Sequence, residues 1–152
     1  MKKLAITSVT ALILLFMSYY ILDYFELAFR VWAFWLWVFI IIVLSAAFSF
    51  SLLCLTVRQI KNKEHGIKPL LFVSKILGTA LSALFFVIFT GIAILGIMLD
   101  PDDEIDVITE NGKKYVVQKE IQDIGNGPYY EIKYDYVNFI VRGKEGYGPE
   151  GG

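Results

Sequence analysis

Residues 31–57 read VWAFWLWVFIIIVLSAAFSFSLLCLTV, a run of 27 without one charged side chain. At about 1.5 Å rise per residue it makes about 40 Å of helix, more than the roughly 30 Å hydrocarbon core of a bilayer requires. Two further uncharged runs flank it, Leu4 to Leu22 with 19 residues and Ile76 to Leu99 with 24. Buried helices of soluble proteins usually run to about 10–14 apolar residues and keep a polar face for water. Hydrocarbon offers no partner to a backbone amide, so each run must be a helix or a strand of a closed barrel, and barrel strands would alternate polar with apolar residues. These runs do not alternate.

The expected fold is therefore a membrane all-α arrangement of three transmembrane helices with a small C-terminal antiparallel β-sheet domain. The spans fall at about 4–22, 31–57 and 70–99, within a transmembrane domain of residues 1–103. Residues 104–142 form the expected β domain, outside the cytoplasm, and 143–152, rich in glycine, a flexible tail.

The whole chain of 152 residues is 57% hydrophobic and 19% charged, too apolar for a soluble domain. A net charge of −1, with basic residues divided between the ends of the spans, gives nucleic acid no patch to bind. Cys54 is the single cysteine, so no intrachain disulfide is possible. Lysine outnumbers arginine eleven to three, the bias of an A/T-rich bacterial genome.

Orientation follows from cations close to the span ends, which are retained in the cytoplasm. Lys2 and Lys3 precede the first span, and Arg58, Lys61, Lys63 and Lys68 lie between the second and third, with Lys75 just inside the third. The first connection carries Arg30 against Asp23 and Glu26, and the third span exits into Asp100, Asp102, Asp103 and Glu104. The expected localisation is a multi-pass protein of the cell membrane, N-terminus cytoplasmic and C-terminus extracytoplasmic. Tyr19, Tyr20, Tyr24, Trp32, Trp35 and Trp37 gather round the outer connection, where aromatic rings favour the headgroup level. Phe16-Met17-Ser18-Tyr19-Tyr20 is too bulky for a signal-peptidase site, so an uncleaved anchor is expected.

Helices in lipid associate where small residues let backbones approach. Ser74, Gly78 and Ser82 recur every four residues and share a face, with Thr79 and Ala83 on the neighbouring ridge. In the second span Ser45 and Ser49 are the corresponding packing candidates. These ridges suit either a three-helix bundle or a homodimer seam.

Beyond the third span, Ile105–Glu110, Asn111-Gly112 and Lys113–Val117 read as a two-residue hairpin pairing Glu110 with Lys113, Thr109 with Lys114 and Ile108 with Tyr115. Tyr129–Tyr134 and Asn138–Arg142 read as two more strands. Tyr129, Tyr130, Tyr134, Tyr136 and Phe139 fall within eleven residues, more aromatic surface than one face of so small a sheet can bury. Tyrosine is enriched in binding surfaces, so these five are the candidate partner contacts.

Enzyme signatures are not found. His65 is the single histidine and has no nucleophile or acid placed to serve it, so it reads as a solvated loop residue. The acidic stretch from Asp100 to Asp106 lacks the order of a calcium loop. Gly91 and Gly96 lie inside a helix and imply no phosphate loop. No charge lies deep in a span, where transport would retain one. Catalytic, cofactor-binding and metal residues are therefore all expected to be none. The expected function is contact: a non-catalytic accessory subunit or binding partner at the outer face of the membrane. Its expected partners are the lipid bilayer and a membrane or envelope protein, possibly a second copy of this chain. The alternatives are an immunity protein against a membrane-active toxin, and a small oligomeric channel or transporter component.

Overall fold

The computed structural model describes residues 1–62, 69–98, 103–121 and 129–148. The sequence features at Lys63, His65 and Lys68 and the acidic residues Asp100 and Asp102 lie outside them. Three helices, α1 (Lys2–Tyr24), α2 (Val31–Lys61) and α3 (Pro69–Met98), are long and apolar enough to cross a membrane. Between the first two lies β1 (Leu27–Phe29), and after the third come β2 (Asp103–Glu110), β3 (Lys113–Ile121), β4 (Tyr129–Tyr136) and β5 (Val141–Tyr147). The chain divides into two compact units, residues 1–16 with 39–93 and residues 17–38 with 94–152.

The first unit is helical. Ala5, Ser8 and Leu12 of α1 recur at helical spacing and are buried, as are Ile41, Ser45, Ser51 and Thr56 of α2. Its hydroxyls close mostly on their own helices. Ser45 donates to the Ile42 carbonyl at 2.9 Å, Ser51 to Ala47 at 2.7 Å, and Ser82 to Thr79 at 2.9 Å. That local bonding removes the cost of an unsatisfied hydroxyl without linking helices. Contacts that do link them include the Thr56 and Thr79 hydroxyls at 3.2 Å, Lys75 Nζ donating to Gln59 Oε1 at 2.9 Å, and Phe16 set edge-on to Phe85 and Phe89 at 6.3 and 6.4 Å. Among the packing candidates Ser45 is buried and Ser74 exposed, while a Cβ added at Gly78 would meet no atom within 4 Å. Within the chain, α3 meets α2 through the neighbouring ridge at Thr79, since a hydroxyl reaches across where a glycine does not.

The second unit is built on one antiparallel sheet in the order β1-β5-β4-β3-β2. The β2–β3 hairpin has the expected register, with Glu110 opposite Lys113, Thr109 opposite Lys114 and Ile108 opposite Tyr115. Asn111 and Gly112 take positive φ values of 49° and 77°, which a two-residue hairpin turn matched to strand twist requires.

Three features differ from expectation. The first connection, read as a loop, contributes β1, whose Leu27, Ala28 and Phe29 pair with Gly143, Arg142 and Val141. Residues 143–147, expected in a flexible tail, belong to β5. Gly146 sits opposite Tyr134, and a Cβ there would run into Ile132 Cγ2 and come within 2.7 Å of Tyr134 Cε1 and 2.9 Å of its Cζ. The missing side chain leaves room for the tyrosine ring, which covers the glycine and restores packing to the strand. Residues 138–140 form a bend, and the last strand starts at Val141. Asn138 Oδ1 accepts from the Ile140 and Val141 amides, each at 2.8 Å, a side-chain turn that competes with the ladder.

Candidate functional site

Arg30 is the residue around which the sheet unit is organised. It stands immediately before α2, and its carbonyl accepts the helix's first backbone bond from Phe34 at 2.8 Å. Its amide donates to the Ile140 carbonyl at 2.9 Å. The guanidinium forks onto Glu104, Nε to Oε2 at 3.1 Å and Nη2 to Oε1, and Nη1 donates to the Phe139 carbonyl at 3.3 Å. The two charged side chains are 8% and 17% exposed, so the pair is largely withdrawn from water. A bidentate fork satisfies several donors in one geometry and offsets much of the desolvation. The Glu104 hydrogen bond is the main reason that Arg30 is held charged above its ordinary range, with Tyr136 adding to it.

The same guanidinium lies 5.6 Å from the ring centre of Tyr136 and 5.8 Å from that of Phe139, within cation–π range. Trp32 joins from the first turn of α2: its Nε1 donates to the Phe139 carbonyl at 3.1 Å and its ring stands 4.8 Å from Phe139. One carbonyl in the β4–β5 turn therefore accepts from two donors at the start of α2. The turn's side chains are left outward: Phe139 is 67% exposed, and Val137 and Ile140 are exposed beside it.

The five aromatic candidates are not one surface. Phe139 is the exposed member, Tyr130 and Tyr136 are half-buried, and the side chain of Tyr129 lies outside the described residues. Tyr134 is 7% exposed, with the Arg142 guanidinium 3.5 Å from its ring centre and its hydroxyl donating to Glu120. Burial withdraws it from the candidate contacts: opposite Val116, at the centre of the sheet, it is core.

Sequence reasoning missed Arg30, counting it only as a charge beside a span. The available signal was a single arginine between two apolar runs with an acidic stretch downstream. It also missed a cavity of about 240 Å³ lined by Tyr19, Phe29, Phe34, Trp35, Gln118 and Arg142 among others. Gln118 is 1% exposed, and its Oε1 has no hydrogen-bond partner among the described residues, so the cavity wall carries a spare acceptor. Among the described residues no group of three or more His, Cys, Asp or Glu side chains is placed to hold a metal ion.

The chain matches no family model, no curated protein and no solved structure.

Proposed function

We propose that this is a non-catalytic multi-pass membrane protein, N-terminus cytoplasmic and C-terminus outside, that acts by protein contact at the outer face of the cell membrane. Three helices of spanning length support the membrane reading, and the flanking cations support the orientation. The observation that carries the contact reading is the β4–β5 turn. Its apolar tip, Val137, Phe139 and Ile140, is exposed while its backbone is held by Arg30 and Trp32. An aromatic residue presented on a fixed backbone loses little entropy on binding, which is the profile of an interface anchor. The partner is a membrane or envelope protein, and the chain serves it as an accessory or binding subunit.

A photoreactive phenylalanine analogue at position 139, in intact cells, tests this. The expected result is a discrete protein adduct that is lost when Val137 and Ile140 are both changed to serine. Adducts confined to lipid would make the tip a headgroup anchor and overturn the contact reading.

A further inference from the structure

In the helical unit one cation from each helix borders the same hollow. Lys2 of α1, Arg58 of α2 and Lys75 of α3 line a cavity of about 410 Å³ together with Gln59 and Asn62, above a wall that includes Leu52 and Leu55. That volume lies in the range of small-ligand sites, roughly 300–1,000 Å³. No carboxylate lines it among the described residues, and none of its three cations is in an ion pair there. Lys75 Nζ donates to Gln59 Oε1 at 2.9 Å, which steadies the ammonium without neutralising it.

Retention of cations at the cytoplasmic ends of spans accounts for their presence on these helices but not for their facing one cavity. Three cationic residues and two amides on one hollow describe a receptor for an anion that also carries hydrogen-bonding oxygens. Arg58 offers a planar fork suited to a phosphate, and the two lysines add point charges. Arg58, Lys61 and Asn62 also border a second hollow of about 350 Å³, whose remaining wall is Leu53, Cys54 and Val57. An anion on Arg58 thus has Leu52 and Leu55 of the first hollow and the apolar wall of the second beside it, a place for hydrocarbon chains that a soluble phosphate would leave empty.

We infer that this cavity binds the phosphate headgroup of an anionic phospholipid. The inference rests on the membrane reading and is independent of any contact made by the sheet.

The full chain, purified and exchanged into nanodiscs of phosphatidylcholine with a minor fraction of phosphatidylglycerol, is assayed by native mass spectrometry for the lipid that stays bound on release. Phosphatidylglycerol is expected to be retained in preference to phosphatidylcholine. Each cation removed should weaken retention about fivefold, so Arg58→Gln with Lys75→Gln lowers it by about twentyfold or more. Lys113→Gln with Lys114→Gln, at equal loss of charge in the sheet, should leave retention unchanged. Helical circular dichroism identifies a variant that has merely unfolded, and the wild-type preference between the two lipids stands without any variant. Equal retention of both lipids, or equal loss in the two double variants, overturns the inference. Displacement of the lipid by inorganic phosphate at matching affinity also overturns it, by making the ligand a soluble phosphate.

Discussion

The helical unit and the sheet unit reach stability by opposite use of polar groups. In the helical unit Ser45, Ser51 and Ser82 return their hydroxyls to carbonyls three or four residues back, and hydrophobic composition does the rest. In the sheet unit the deciding bonds span long stretches of chain, Arg30 to Glu104 and Trp32 to Phe139. The difference teaches where single substitutions hurt. A polar group closed on its own helix is replaceable, whereas one that joins distant segments leaves an unpaired partner behind when it is lost.

The sharpest test of that contrast is Arg30→Ala. Removing one partner from a buried ion pair costs about 3–5 kcal/mol, and with Glu104 partly solvated about 3 kcal/mol is expected here. The loss should be confined to the sheet unit, read as earlier proteolysis of β5 and lost dispersion of the amide resonances of residues 103–147. Ser51→Ala, equally buried but bonded only to its own helix, should change stability by less than about 1 kcal/mol. Similar effects from the two substitutions would break the comparison.

Gly146→Val is the next in size. Its side chain would occupy the space of the Ile132 side chain and the Tyr134 ring, and overpacking of this kind costs about 1–3 kcal/mol. Urea unfolding of the sheet unit measures it. Gly78→Val on α3, where a Cβ meets open space, should be neutral within the chain. A loss of self-association in the Gly78 variant, with folding intact, would instead identify the small-residue ridge as a seam between copies.

The smallest effect is a pH dependence. The hydrogen bond to Asp23 holds Lys144 above the ordinary lysine value of 10.5. Because the folded value is raised, the pair's contribution is complete below the ordinary value and fades as pH climbs through the raised one. The ammonium is exposed, so the dependence is slight. Lys144→Met should remove that alkaline component and leave stability at neutral pH nearly unchanged, measured by thermal unfolding across the alkaline range.

Regular patterns were legible in the sequence. The three expected spans correspond to the three helices within about four residues at each end, because a span is declared by length and composition. The β2–β3 hairpin register was legible for a different reason: Asn111-Gly112 demands two positive φ values and so fixes which residues face each other. Partnerships across sequence were not legible. Nothing local to Leu27-Ala28-Phe29 says strand, and three residues next to two long helices become one only because Val141–Gly143 offers an edge to pair with. Gly143, Gly146 and Gly148 read as flexibility because glycine propensity is averaged over a window, while the ring that makes Gly146 a packing position lies twelve residues upstream. Of the candidate contacts, Phe139 keeps its exposure and Tyr134 does not, since alternation tells which residues share a face but not which part of that face is covered.

The proposed orientation of the two ends underlies the contact proposed for the sheet, and thiol labelling reads it directly. With Cys54 changed to alanine, single cysteines are introduced as Asn62→Cys at the end of α2 and Glu145→Cys in β5, both exposed positions. Intact cells are treated with a membrane-impermeant maleimide. Labelling at 145 in intact cells, with labelling at 62 only after permeabilisation, is the expected result. Labelling at 62 in intact cells, or protection of 145 until permeabilisation, would contradict an outward sheet and a cytoplasmic basic end.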